Sequence, residues 1–313
     1  MARAQGARAQ MALAFETTYG VPPMSGYTQI PFTSTTLGSE QPLQTSEVLG
    51  YGRDPQAPVK DAVTADGSIV VPIDAESFGF WLTAAFGVPV TSGDQAPFTH
   101  EFRSGSWVLP SFTVETAMPE VPRYARYAGC KVDSVSWQMA RSGLLTATVS
   151  VIAQGEEVSG SSSVGTIETV ELRRFGHFNG TVTRNGVAIG NVVSVDLTYS
   201  NTLDRIETIR SDGKIDGIDP SIAALTGSIT VRFADQTLVT QAINGEACAL
   251  EFFYALPTGE SLGLTAHAVY LPRPRIEISG PQGVQASFDW QAASDPVLGR
   301  MCTVTLTNDR EVY

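Results

Sequence analysis

Apolar and polar residues alternate along much of the chain, with the period of two that marks a half-buried β-strand. The alternation is clear at residues 192–200 (VVSVDLTYS) and 131–138 (KVDSVSWQ). Asn185-Gly186, between two short extended runs, predicts a tight hairpin. Further strands are predicted at residues 27–37, 43–49, 68–73, 144–153, 228–233, 249–254, 264–269, 275–279 and 284–290, with a second extended run at 203–209. The pattern predicts a mainly β protein.

Two short segments follow the helical period instead. Residues 75–86 carry apolar side chains at i, i+3, i+4 and i+7, with Asp74 placed to cap the first turn and Gly87 placed to end the helix. Residues 235–243 have a similar stripe and are followed by Gly245. One short helix is therefore predicted in each half of the chain.

The second half of the chain repeats the first at an offset of 160 residues. The coinciding positions are Ser34 with Ser194, Leu37 with Leu197, Leu43 with Leu203, Glu47 with Glu207, Gly67-Ser68-Ile69 with Gly227-Ser228-Ile229, and Val71 with Val231. Each copy has the order strand, extended run, loop, strand, helix and further strands. The predicted organisation is an N-terminal arm (1–26), a first domain (27–155), a serine-rich linker (156–165) and a second domain (166–313).

The arm is interpreted as either flexible or ordered on a neighbouring subunit. It has two arginines but no continuous apolar segment, so it does not match a secretory signal. No stretch of the sequence approaches the roughly 20 apolar residues of a membrane span, and no membrane association is predicted.

Composition argues against a nucleic-acid-binding protein. The net charge is −12, and the longest basic run is Arg173-Arg174, whereas DNA binders need basic patches that release counterions. Only 17% of residues are charged, which suits a protein that buries its surface in an assembly and also suits a secreted β-protein. The three cysteines are far apart and are predicted to be small core residues.

The sequence carries no recognisable catalytic motif. Phosphate-binding glycine loops and a nucleophile elbow are absent, and the three histidines are scattered. Residues 212–219 partly match a calcium loop, but Lys214 stands where a ligand is needed and Ala223 where the closing Glu is needed. We therefore predict neither an enzyme nor a metal or cofactor site.

Several segments resemble the tail tube proteins of long, non-contractile-tailed bacteriophages. They are residues 14–23 (AFETTYGVPP), residues 47–55 (EVLGYGRDP), residues 63–73, the helix containing Trp81-Leu82, and residues 127–135 (YAGCKVDSV). The resemblance covers most of the first half and reaches the second half mainly through the repeat.

The resemblance implies two tandem β-sandwich or partial-barrel domains, each with one short helix. It also implies a structural virion protein whose rings stack into the tube through which phage DNA is ejected. Expected partners are other copies of the chain, a tape measure protein in the lumen, and tail terminator and distal tail proteins at the tube ends. DNA would pass without specific binding, the location would be the virion tail, and assembly would take place in the host cytoplasm.

Two sets of residues are candidates for these roles. The loops at residues 50–66 and 210–226 are long enough to be functional and are expected to contact the next ring. Their candidate residues are Arg53, Asp54, Pro55, Lys60, Asp212, Lys214, Asp216 and Asp219. Carboxylates facing the lumen would repel DNA phosphates, and the candidates are Glu47 and Glu207, then Asp133 and Glu277.

Alternatives remain open. A ring of six domains would need three chains with two domains each; the rival is six chains whose second domains hang outside. A non-enzymatic decoration, baseplate or adhesin module that binds a receptor or a glycan is the alternative function. Glu47 and Glu207 could also be ordinary solvent-facing carboxylates, and the long loops could be mobile surface loops.

Overall fold

Strands dominate a computed structural model of the chain, which describes residues 3–276, 278, 280–281 and 283–313. The strands are β1 (Gln10–Phe15), β2 (Tyr27–Gln29), β3 (Ser34–Thr35), β4 (Gly38–Glu40), β5 (Leu43–Gln44), β6 (Val59–Lys60), β7 (Thr64–Pro72), β8 (Val90–Ser92), β9 (Phe98–Arg103), β10 (Phe112–Met118), β11 (Arg123–Met139), β12 (Thr146–Ile152), β13 (Gly155–Ser159), β14 (Ile167–Glu168), β15 (Gly180–Arg184), β16 (Val187–Ala188), β17 (Val192–Ser200), β18 (Asp204–Ile206), β19 (Gly217–Asp219), β20 (Ala224–Arg232), β21 (Cys248–Ala255), β22 (Ser261–Tyr270), β23 (Gln285–Ala293) and β24 (Cys302–Asn308). The helices are α1 (Phe78–Phe86) and α2 (Thr237–Asn244), with short 3-10 turns at Gly6–Arg8 and His177–Asn179.

One antiparallel sheet runs through both halves of the molecule, and we call it the shared sheet. In the first half, β7 lies between β3/β4 and β12, and β12 pairs with the second part of β11. β11 also pairs with β17 of the second half, followed by β20 and β23. The strand order is therefore β3/β4, β7, β12, β11, β17, β20, β23.

Each half adds a second sheet against the shared one. In the first half the order is β2, β1, β10, the first part of β11, and β13. In the second half it is β16, β15, β21, β22, β24, β9 and β8, so two strands of the first half complete the sheet of the second. The described residues form no closed barrel, and the mainly β fold with one short helix in each half confirms the predicted fold class.

The core lies between these sheets and is continuous across the two halves. Alternation along the strands places Val135 and Trp137 of β11 in the core beside Leu197 and Tyr199 of β17, all at most 5% exposed. Burying side chains of this size contributes roughly 1.5–3 kcal/mol each. All three cysteines are free and buried, as predicted.

Strand pairing repeats along the chain with the offset that the sequence predicted. Five pairs between β3/β4 and β7 have counterparts 160 residues later between β17 and β20. They are Ser34–Val70 with Ser194–Thr230, Thr35–Ile69 with Val195–Ile229, Gly38–Asp66 with Thr198–Thr226, Ser39–Ala65 with Tyr199–Leu225, and Glu40–Thr64 with Ser200–Ala224. The internal repeat is confirmed at the level of individual residue pairs.

Local signals placed the hairpin and the helices correctly but not every boundary. The hairpin turn has Asn185 at φ 50° and Gly186 at φ 78°, the left-handed pair that a type I′ turn requires. α1 begins three residues later than predicted, because the Asp74 carboxylate accepts the Glu76 and Ser77 amides (2.9 and 2.7 Å) and holds a turn ahead of the helix.

Several predicted strands are shorter than expected. The run 27–37 is broken into β2 and β3, the runs 43–49 and 203–209 keep only β5 and β18, and residues 271–276 form no strand. Residues 277 and 279 of the predicted strand 275–279 lie outside the described residues. In contrast, β1, β9, β10 and β24 were not predicted, although all four are strands of six or seven residues.

The predicted arm and linker need correction. Residues 10–15 of the arm form β1, which pairs with β10 and β2 and buries Met11 and Leu13 in the main core, so the arm is not flexible there. In the expected linker, β13 pairs with β11, Ser162 donates to Glu115 (2.6 Å), and Val164 is fully buried. Serine here serves hydrogen bonding rather than flexibility.

Candidate assembly and channel surfaces

The outer side of the shared sheet is a continuous polar surface, which we call the polar face. It consists of every second residue of β11, β12, β17, β20 and β23, alternating with the buried residues of the same strands. Its members are Ser134, Ser136, Gln138, Thr146, Thr148, Ser150, Ser194, Asp196, Thr198, Ser200, Thr226, Ser228, Thr230, Ser287, Asp289 and Gln291. Hydroxyls dominate this set, its two ionisable members are both acidic, and Arg232 lies at the margin where β20 ends.

The two aspartates of the polar face were missed by the sequence analysis. Asp196 accepts a hydrogen bond from the Gln138 amide (2.8 Å) and one from the Ser228 hydroxyl (3.2 Å), which tie three neighbouring strands together. Asp289 is exposed on β23. The period of two in β17 and β23 would have found both, because each aspartate lies between buried residues of a predicted strand.

The residues predicted to face a lumen are placed differently. Glu47 and Glu207 are exposed but lie beyond the ends of β5 and β18, so their placement on strands is wrong. Asp133 is half-buried at a bulge in β11, and its carboxylate accepts the Leu203 amide at 3.0 Å. Glu277 lies outside the described residues. The structure does not bring these four carboxylates onto one surface.

The two long loops run over residues 41–63 and 201–223, because β7 and β20 begin earlier than predicted. Each folds back through a small hairpin, β5–β6 in the first loop and β18–β19 in the second. They meet at one end of the shared sheet: the Val63 amide donates to the Gly213 carbonyl (2.9 Å), and the Arg205 guanidinium pairs with Asp66 (2.5 Å).

The candidate residues in the two loops have different surroundings. Arg53, Asp54, Pro55 and Lys60 are all exposed in the first loop, where Leu49 and Tyr51 also expose 91% and 71% of their surface. These apolar side chains were not among the predicted contact residues.

The second loop is held together by charge. Arg210 binds Asp212 (2.9 Å) and Asp216 (2.8 Å), and its guanidinium holds the pKa of Asp212 well below the usual range. The side chain of Lys214 lies over Gly155, and Asp219 is exposed at the end of β19. The first loop therefore presents the more open surface, while the second is an internally braced turn.

A family model described as phage tail tube protein matches residues 6–292 of the chain. The chain belongs to the phage tail tube protein family. No curated protein matches the sequence. As a tail tube protein it is a structural component of the phage tail, and the family is not an enzymatic one.

The tail tube chain contains one edge-to-edge junction between its two repeats. β11 pairs with β17 over six residues, from Ser134–Ser200 to Met139–Val195. The Phe86 ring at the end of α1 stacks on Tyr199 with 4.1 Å between centroids. The Asn201 amide donates to the carbonyls of Ala85 (3.0 Å) and Val132 (2.9 Å), which closes the junction from below.

The end of the tail tube chain also covers α1. Tyr313 lies directly against Gly79, where any Cβ would come within 2.1 Å of the ring, and its hydroxyl donates to the Glu76 carbonyl (2.7 Å). Arg310 lies over the Phe80 ring at 4.7 Å. Together with β17, these contacts bury α1 between the two repeats.

Two searches for other kinds of site gave negative results. Within the described part of the chain, no three His, Cys, Asp or Glu side chains are placed to hold a metal ion. Neither α1 nor α2 has the length and apolar character that crossing a bilayer requires, and no other helix in the described residues does.

Proposed function

We propose that the chain consists of two tandem tube domains and that three chains form one ring of the phage tail tube, with true threefold and pseudo-sixfold symmetry. The supporting observation is the junction between the repeats, at which the shared sheet continues from β11 into β17. A cyclic ring needs the same head-to-tail contact again between chains. A second repeat hung outside the ring would have no reason to extend the sheet of the first.

The mass of isolated rings tests the stoichiometry. The chain mass is 33.3 kDa, so a ring of three chains has a mass of about 100 kDa and a ring of six about 200 kDa. Native mass spectrometry or light scattering of rings released from tubes gives the value directly. Rings of six chains would rule out the trimer while leaving the tube function intact.

We propose that the polar face lines the channel through which DNA is ejected. A surface of hydroxyls with Asp196 and Asp289 offers no cation to hold phosphates, and its carboxylates repel them within a Debye length of about 8–10 Å. Asp133 lies in the same sheet, while Glu47 and Glu207 on the loops, and Glu277, keep their proposed role nearer the ends of the channel.

A reversal of charge tests the channel surface. Tubes carrying Asp196→Arg and Asp289→Arg should retain a short DNA duplex at low salt and release it at high salt, because neutralised phosphates release counterions. The same number of charge changes on the β8–β9 turn and β13, Asp94→Arg and Glu157→Arg, serves as the control. Equal DNA retention by both sets of tubes would contradict the assignment.

We propose that the loops at residues 41–63 and 201–223 contact the next ring in the stack. Both lie at one end of the shared sheet, and the first exposes Leu49 and Tyr51 beside the candidates Arg53, Asp54, Pro55 and Lys60. Asp212, Lys214, Asp216 and Asp219 are the candidates in the second loop. Deleting residues 55–60 should leave rings that do not stack, as seen by microscopy; normal tubes would refute the proposal.

The remaining partners follow from a tube built in this way. A tape measure protein would occupy the channel during assembly in the host cytoplasm, and terminator and distal tail proteins would bind the two ends of the stack. Pull-down of each by assembled tubes, with single rings as the comparison, would test these contacts.

A further inference from the structure

The shared sheet of the isolated chain has two incomplete ends. At one end, β3 and β4 pair with β7 on one side, whereas their counterpart β17 pairs with β20 on one side and β11 on the other. At the other end, β23 pairs with β20 along seven residues but with β22 at only three, from Ala268–Ala293 to Tyr270–Gln291. Open strand edges are surfaces on which another strand can pair.

The first repeat identifies the segment that belongs beside β23. The pair Lys131–Ile152 of β11 and β12 corresponds to Tyr270–Gln291 of β22 and β23, at an offset of 139 residues. β11 continues beyond Lys131 to Met139, while β22 ends at Tyr270. Residues 271–276 therefore correspond to the part of β11 that forms the junction between the repeats.

The sequence of this segment keeps the pattern of a strand. Arg273 and Arg275 are exposed, while Pro274 and Ile276 are half-buried, and Ile276 packs against the main core. Their counterparts in β11 alternate in the same way, with Ser134 and Ser136 on the polar face and Val135 and Trp137 in the core.

We propose that residues 273–276 form a strand at the chain–chain junction and pair antiparallel with residues 37–40 of the next chain. The register follows from the internal junction: Ser134–Ser200 becomes Arg273 opposite Glu40, and Trp137–Leu197 becomes Ile276 opposite Leu37. Opposite charges then face each other on the polar face, and two apolar side chains meet on the core side. This inference rests on the proposed ring.

Two prolines explain why the segment is not already a strand in the single chain. Pro272 and Pro274 lack amide donors, so each removes one possible hydrogen bond of the ladder. A strand held on β23 alone would have few bonds left. Pairing on its other side with residues 37–40 supplies the missing hydrogen bonds, so the segment becomes ordered as a strand only when chains associate.

The helices provide independent support for this junction. All nine residues of α1 are buried, and the contacts that cover it come from β17 and the last residues of the second repeat. In α2, Leu238 alone is buried, and Ile243 exposes 57% of its surface. The first repeat of the next chain would cover α2, as the second repeat covers α1.

Closure of the sheet sets the size of the channel. Each repeat supplies four strand positions when residues 273–276 are included, so three chains give a sheet of roughly 24 strands. With strands about 4.8 Å apart and tilted by about 40°, the backbone diameter is roughly 45–50 Å. A duplex passes through such a channel without touching the backbone.

Disulfide formation at the predicted register tests the proposal. Cysteines at Glu40 and Arg273 should link neighbouring chains into covalent trimers when assembled tubes are oxidised. The internal pair Ser134→Cys with Ser200→Cys is the matched control, because it has the same register within one chain, and the three native cysteines are buried. Variants with a single added cysteine should stay monomeric on a denaturing gel.

The outcomes separate this inference from the proposed function. Covalent trimers from the Glu40–Arg273 pair support the register. Tubes that link Arg273→Cys instead to cysteines at Gly38 or Gln41 overturn the register but leave the ring intact. Failure of the unmodified chain to form any ring overturns both.

A charge exchange covers the case in which the double cysteine variant does not assemble. Glu40→Arg places two arginines opposite each other and should raise the concentration needed for assembly by up to about fivefold per junction. Adding Arg273→Glu should restore assembly. Lack of restoration would contradict the pairing of these two residues.

Discussion

Helices α1 and α2 occupy the same position in the two repeats, yet their surroundings differ. α1 is buried along its whole length, whereas α2 buries only Leu238 and leaves Thr237, Thr240, Ile243 and Asn244 exposed. The junction over α1 forms as the chain folds, so it can be made of Phe80, Phe86 and Trp81. A surface that is covered only after folding must remain soluble beforehand, and α2 is correspondingly more polar.

The largest expected difference between the two helices concerns their first apolar residues, Phe78 and Leu238, which are related by the repeat. Phe78→Ala should lower the free energy of unfolding by about 3–5 kcal/mol, because its fully buried ring leaves a cavity. Leu238→Ala should cost about 2–3 kcal/mol, since its site can collapse towards solvent. Urea unfolding followed by circular dichroism measures both, and equal losses would remove the contrast.

A second contrast concerns the amides at the two junctions. Asn201→Ala should destabilise the single chain by about 1–3 kcal/mol, because the carbonyls of Ala85 and Val132 lose their buried donor. Gln41, its counterpart 160 residues earlier, is exposed and donates to the Asp61 carbonyl at 2.9 Å. Gln41→Ala should change stability by less than about 0.5 kcal/mol. A comparable loss at both sites would show that the two junctions are equally formed in the monomer.

The cover over α1 can be weakened by one atom. Tyr313→Phe removes the hydroxyl that donates to the Glu76 carbonyl while keeping the ring on Gly79. The expected loss is about 1 kcal/mol in the free energy of unfolding. Arg103→Ala, at an exposed residue of β9, is the control and should leave stability within about 0.5 kcal/mol.

The smallest predicted effect is a pH dependence carried by the second repeat. Burial, together with the nearby Arg300 guanidinium, lowers the pKa of His267, whose ring also contacts the Thr303 hydroxyl at 2.8 Å. Because the folded pKa lies below the ordinary 6.5, the neutral ring stabilises the protein above that pH. This contribution is lost as the pH falls through the lowered pKa. His267→Gln should flatten the profile of unfolding midpoints between about pH 5 and 7, and an unchanged slope would contradict the assignment.

Sequence patterns were sufficient wherever a strand is paired on both sides. The run 192–200 was predicted with its observed limits because β17 is hydrogen-bonded to β11 and β20 and its side chains alternate between core and polar face. Its counterpart at residues 34–40 has a similar pattern but one unpaired edge, so only two short strands form there. Local sequence does not record which edges lack a partner.

The candidate surfaces were predictable to a smaller extent. The long loops were located correctly, but the acidic positions chosen for a lumen came from matching residues in the repeat rather than from the orientation of side chains. Glu47 and Glu207 coincide in the repeat and still lie off the sheet, whereas Asp196 and Asp289 do not coincide and lie on the polar face. β24 was missed because its partner β9 is about 200 residues away, and such non-local pairing leaves no local signal.

The contacts over α1 have a consequence for how the protein is made. Phe80 and Gly79 are covered by Arg310 and Tyr313, which leave the ribosome only after the roughly 200 intervening residues, or about 10–45 s at usual bacterial rates. Until then the nascent first repeat carries an uncovered apolar helix, a natural site for a chaperone. Nascent chains stalled before β24 should bind a hydrophobic dye more strongly than released full-length protein, and the signal should fall once residues 302–313 have emerged.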